Sequence, residues 1–224
     1  APEDVGAATV DELRAFVESN ADALEQARPA MDRECGVPVK YSMDYLDGVS
    51  EPGQSLRALS RLFQAEGKVA AADGHTADAI RSYLDAVRLG DQSMRGGLVL
   101  DRLLGGAIGS VGREGLRELS ADLSEEECRQ VIRALESINA GREPLEAALA
   151  REHDFTEAVI RDMGLSGILV ARTLRQQKQH GVELAERSAN RHEAKLRLLM
   201  IDLAISGFKS RAGSYPQSLA ALVP

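Results

Sequence analysis

The side chains best suited to chemistry in this chain are four histidines (His75, His153, His180 and His192), two cysteines, and a polar cluster at Glu146, Arg151, Glu152, His153, Asp154 and Glu157. His153 and Glu157 stand four residues apart, a spacing that points both from one side of a helix. With Glu152 they form a candidate metal set, Glu152, His153 and Glu157, which an acid from elsewhere would complete around a divalent cation. As a general acid and base the same residues would need a pocket around them. The plainer reading, which we favour, is an exposed His–Glu pair on an amphipathic helix.

Other catalytic signatures are missing. No histidine has Glu three residues before it, as di-iron bundles require. His192-Glu193 is not followed by a second histidine at zinc-protease spacing. Gly109-Ser110-Val111-Gly112 falls short of a nucleophile elbow. The glycines from Gly96 to Gly115 match neither a dinucleotide fingerprint nor a phosphate loop, and no strand feeds them. Gly105, Gly109 and Gly112 recur at spacings of four and three, which places them on one side of a helix where a neighbouring backbone can come close. Cys35 and Cys128 permit one disulfide and exclude a disulfide framework or a four-cysteine zinc site. Cys128 lies in line with Val131, Ile132, Leu135 and Ile138, so it reads as an inert core thiol. No catalytic residue, cofactor or resident metal is assigned, and the chain reads as a non-enzyme.

The elements that must position these residues are helices. Hydrophobic residues make up 44% of the 224, enough for a core, yet aromatics are 4% and Trp is absent. The core must therefore be aliphatic, and stacking platforms for bases are lacking. With a net charge of −8 and a pI near 5.1, nucleic acid is not an expected partner. The charge is uneven: residues 1–60 carry twelve acids and five bases, while residues 171–211 carry nine bases and four acids. We read the basic stretch as a solvated helix face. No apolar run is long enough to span a membrane.

Apolar residues recur every three to four positions almost throughout. Thr9-x-x-Glu12 and Ser124-x-x-Glu127 read as capping boxes opening helices. The first helix should bury Leu13, Phe16, Val17, Asn20 and Leu24 and end at Pro29. A long loop over 35–54 follows, in which Val39, Tyr41 and Met43 alternate as a short extended piece. Helices are then predicted over 54–73, from a cap at Thr76 to 89, over 94–119, from Ser124 to 140, and from a first turn at Pro144 to 163. The stretch 165–211 reads as one long helix or two joined near Gly181, with a short helix after Pro216. Short connections make consecutive helices antiparallel neighbours.

Two resemblances follow. Residues 63–91 resemble one tetratricopeptide repeat, with Phe63, Gly67, Gly74, Ala79, Tyr83 and Ala86 at the packing positions of that unit. Glu66 stands where a large apolar residue is usual, and Asp91 where Pro is usual. The resemblance implies a helical hairpin with a candidate partner groove walled by Phe63, Gly67 and Tyr83. The wider pattern is similar to a family of envelope proteins of planctomycete-type bacteria. It runs through Pro38-Val39-Lys40-Tyr41, Ser55-Leu56-Arg57-Ala58-Leu59, Leu123-Ser124-Glu125-Glu126-Glu127 and Ala148-Leu149-Ala150-Arg151-Glu152. The tail Gly213-Ser214-Tyr215-Pro216…Leu219 also resembles a turn of bacterial pseudopilins.

The expectation is thus an all-α chain of antiparallel helical hairpins, tetratricopeptide-like, over residues 1–163. A long C-terminal helix and tail, residues 164–224, packs on it. What the resemblances imply is an extracytoplasmic scaffold or interaction module of the cell envelope with a protein or peptide partner. The opening Ala1-Pro2-Glu3 fits a processed or trimmed secreted chain, and the envelope resemblance allows a membrane anchor through a segment outside this chain. Two alternatives remain: a metal-dependent enzyme using the His/Glu cluster, and a secretion or pilus-like component whose long helix extends from the body and presents Tyr215-Pro216.

Overall fold

The structure is a computed structural model that describes residues 5–222 except 32, 34, 43–44 and 46–49. The helices are α1 (Val10–Glu18), α2 (Ala21–Met31), α3 (Ser50–Ala72), α4 (Thr76–Gln92), α5 (Val99–Leu119), α6 (Glu125–Ala140), α7 (Leu145–Asp162) and α8 (Gly164–Ala212), with 3-10 turns at Ser120–Asp122 and Leu219–Leu222. The fold is all-α, with no strand among the described residues. The extended piece expected around Val39 and Tyr41 is an irregular segment, and Met43 lies outside the described residues.

Both capping boxes form. The Glu12 carboxylate accepts from the Thr9 N–H at 2.8 Å and the Thr9 hydroxyl accepts from the Glu12 N–H at 3.3 Å; Ser124 and Glu127 repeat the pattern at 2.8 and 3.3 Å. Some boundaries differ from expectation. The first helix divides at Ser19-Asn20, where the Asn20 amide turns back to donate to the Phe16 carbonyl at 2.8 Å, a local bond that competes with the helix. Pro29 does not end α2, which runs to Met31; so near a helix end, Pro removes little of the hydrogen-bond ladder. Helix α3 begins four residues early, and α5 begins at Val99 because Gly96, at φ +73°, places a turn before it. Thr76 is the first residue of α4, and His75 occupies the cap position without a side-chain bond. Pro144 is likewise a cap residue, one position before the first helical turn. Helix α8 is continuous through Gly181 for 49 residues, about 73 Å at 1.5 Å per residue.

Side-chain contacts set the topology. Gly67 faces Tyr83 and Gly90 faces Gly105 and Gly109, so α3, α4 and α5 run antiparallel in sequence. In α8 the N-terminal half folds back along α7 after a sharp turn at Gly164 (φ +59°), while the C-terminal half packs antiparallel on α6, with Gly207 on Cys128 and Arg211 bound to Glu125 at 2.9 Å. The main core joins Ala70, Tyr83, Val87, Leu116, Cys128, Val131, Leu135, Leu196, Leu199 and Leu203 from α3, α4, α5, α6 and α8. A second cluster, Leu24, Leu62, Phe63, Ala86, Leu89 and Ile108, lies between α2, α3, α4 and α5.

The glycine stripe is a packing device. A methyl group on Gly90, Gly105 or Gly112 would strike the backbone of the facing helix. Their absence lets α4 and α5 approach backbone to backbone. The two departures from the repeat pattern also find their reasons. Glu66 accepts from the Ser82 hydroxyl at 2.6 Å and pairs with Arg28, which reaches Asp85 at 3.0 Å, so an ion network ties α2 to the α3–α4 hairpin. Asp91 is buried and takes Arg142 at 3.2 Å, joining α4 to the turn before α7.

Candidate functional site

The residues expected to wall a partner groove are sealed. Phe63 is 0% and Tyr83 3% exposed, and a Cβ on Gly67 would lie 2.6 Å from the Tyr83 ring. Phe63, Gly67 and Tyr83 form the seam of the α3–α4 hairpin rather than an open surface. The two rings fill the space beside Gly67 and between the helices, and packing closes the groove they suggested.

The Glu152, His153, Glu157 set does not assemble as a metal centre. Among the described residues no group of three or more His, Cys, Asp or Glu side chains is placed to hold a metal. Glu152 instead accepts from the Val99 N–H at 3.0 Å, satisfying one of the free donors that open α5. His153 and Asp154 are exposed. Nearby Arg151 grips Glu143 through two bonds of 2.9 and 2.6 Å and donates to the Gly97 carbonyl at 3.0 Å. The polar cluster therefore fastens α7 to the turn leading into α5. Both cysteines are free thiols: Cys35 is exposed, while Cys128 is buried, and burial with Glu127 and Glu125 nearby pushes its thiol up to about 11.

What the structure does open is a cavity of about 820 Å³ between α2, α3, α4, α5 and the segment 35–42. Ala27, Met31, Val37, Leu56, Leu59 and Leu104 supply its apolar lining. Its polar end is Asp101, which accepts from the Leu98 N–H at 2.8 Å and faces the Tyr45 hydroxyl at 3.5 Å. Burial outweighs these bonds and raises the Asp101 carboxyl above its usual range; burial also pushes the Tyr45 phenol up to about 12, with Asp101 adding to it. The size and the apolar walls with a few convergent polar groups fit a binding cavity. Sequence reading missed it because a void is shaped by several elements at once. The one local signal was the stretch of prolines and glycines over 35–54, although its last five residues, 50–54, open α3.

The tail differs from the expected projection. The last turns of α8 are docked on α6, and after the Gly213 turn Tyr215 folds back so that the Lys209 ammonium sits 4.6 Å from its ring. Tyr215 itself is solvent-exposed. No helix among the described residues is long and apolar enough to cross a membrane. No known protein family, curated protein or solved structure matches this chain.

Proposed function

We propose that this chain is a non-enzymatic interaction module of the bacterial cell envelope, built on a tetratricopeptide-like hairpin, that takes an apolar segment of a protein partner in the cavity between α2, α3, α4 and α5. The observation that carries this reading is the 820 Å³ opening lined by Ala27, Met31, Leu56, Leu59 and Leu104, apolar side chains that wall an open space instead of closing on one another. A cavity of that size accommodates the anchor side chains of an amphipathic helix, the common mode by which helical grooves hold peptides. The envelope setting is supported by the residue pattern alone.

Ala30 lies on the exposed rim of the cavity near the end of α2, where a large side chain can block entry without disturbing the core. A fluorescent apolar probe such as anilinonaphthalene sulfonate should bind the native protein saturably and be displaced by a leucine-rich amphipathic peptide. Ala30→Trp should weaken both at least tenfold while leaving the helical circular dichroism unchanged. Absence of saturable probe binding, or equal binding by Ala30→Trp, would remove the cavity from consideration.

A further inference from the structure

A second pocket, of about 380 Å³, opens on another side of the molecule between α5, α6, the turn before α7, and α8. Arg102, Gly106, Arg142 and His192 line it. Behind two of these residues lies Arg113, 7% exposed, whose guanidinium donates to the Gly106 carbonyl at 3.3 Å and sits 3.4 Å from His192 Nδ1, and which itself borders a neighbouring recess with Glu114, Lys195 and Asp202. Among the described residues no carboxylate stands at ion-pair distance from Arg113, and its electrostatic neighbour is another cation, Arg142. Arg102, one helix turn from Gly106, is also held by carbonyls rather than a carboxylate, those of Glu143 at 2.9 Å and Pro144 at 3.4 Å. A buried guanidinium without a counter-charge is costly, and proteins rarely retain one unless an anion meets it.

The acids around the pocket do not supply that anion. Both Glu143 oxygens are taken by Arg151, Asp91 is taken by Arg142 at 3.2 Å, and Glu193 is bound to Arg197 at 2.7 Å, so Arg102 is the wall cation left without an ion pair among the described residues. Glu146 is exposed at the mouth. At the floor the field is positive. Burial holds the His192 imidazole far below its ordinary range, at about 3, and Arg113, Arg142, Arg102 and Lys195 all add to the effect. Such a field favours a dianion, and the planar fork of Arg102 suits oxygens in a phosphate arrangement, with Arg113 adding its charge from behind.

We infer that this pocket is an oxyanion site that takes a phosphate group, free or carried by a small molecule, with Arg102 on its wall beside the Asp91-paired Arg142, and with Arg113 behind Gly106 and His192. It is separate from the apolar cavity, so either can fail without the other.

The test titrates the whole chain with inorganic phosphate, glycerol phosphate and acetate at constant ionic strength in chloride, reading the thermal midpoint and the His192 imidazole resonances. Phosphate should raise the midpoint saturably and move the His192 titration upward by more than one pH unit. Arg113→Met should keep or raise the midpoint in chloride, because it removes an uncompensated charge, and weaken the phosphate response at least tenfold. Arg102→Met should weaken it similarly, and it carries the test if Arg113→Met does not fold. An equal response to the two phosphates identifies the phosphate group as the ligand, and a tighter response to glycerol phosphate identifies a phosphorylated small molecule. A lack of saturable response in the native chain, undiminished binding by the variants, or an equal response to acetate would overturn the assignment.

Discussion

His192 stands within the field of Arg102, Arg113, Arg142 and Lys195, so a proton on it meets four like charges in a half-buried place. Its folded-state value near 3 lies below the ordinary 6.5. Between those two values the unfolded chain binds a proton that the folded chain refuses. Stability from this residue is therefore fully present above about pH 6.5 and is lost as pH falls toward 3, with a limiting slope of about 1.4 kcal/mol per pH unit. Asp85 and Asp101, whose carboxyls burial raises, act in the opposite sense: each folded-state value lies above the unfolded one, so their contribution is lost as pH rises. A comparison of native protein with His192→Gln isolates the histidine. Urea unfolding from pH 7 to pH 4 should give a shallower loss of stability in the variant, and parallel profiles would show that His192 is not held neutral.

Glycines of the same type do opposite things in different helices, and their neighbours decide which. In α5, a methyl group on Gly112 would collide with the Tyr83 carbonyl of α4, a backbone atom that cannot move unless the helices part. Gly112→Ala should cost about 3 kcal/mol in urea unfolding, in the range of forced overpacking. In α8, Gly181 has nothing within 4 Å of where a methyl group would sit. Gly181→Ala should instead stabilise the protein by about 1 kcal/mol through helix propensity. Equal effects of the two substitutions would contradict the close approach of α4 and α5. The same contrast separates the capping boxes from the α2–α3 ion network. Thr9 with Glu12 and Ser124 with Glu127 act within one turn, whereas Arg28, Glu66 and Asp85 meet from three helices.

Across the whole molecule, the C-terminal half of α8 is a wall of the main core rather than an appendage. Leu196, Leu199 and Leu203 share one cluster with Tyr83, Leu116, Val131 and Leu135. Leu203 is fully buried, and Leu203→Ala should cost about 3 kcal/mol by leaving a cavity among aliphatic neighbours. Because the cluster spans five helices, with Ala70 of α3 included, amide exchange should quicken together across the end of α3, α4, α5, α6 and the end of α8. Faster exchange confined to α8 would mean that the helix is held separately. The two pockets lie on either side of α5: Leu104 faces the apolar cavity, while Arg102 and Gly106 face the cationic one. One rigid helix thus separates an apolar recess from a charged one.

The helical class, the capped starts at Thr9 and Ser124, the burial of Cys128 and the packing stripe of Gly105, Gly109 and Gly112 were legible in the chain, because each depends on residues within a turn or two of one another. The break at Asn20 was not, since the apolar face of Phe16, Val17 and Leu24 runs on across it. Tertiary contacts decided the rest. They closed the Phe63–Tyr83 seam, turned Glu152 from a metal ligand into a cap for α5, and brought Arg113 to His192 across 79 positions. A side chain's local pattern specifies which face it shares. Only the packing of distant elements specifies whether that face meets water, another helix or a charge, and with it what chemistry the residue has left to do.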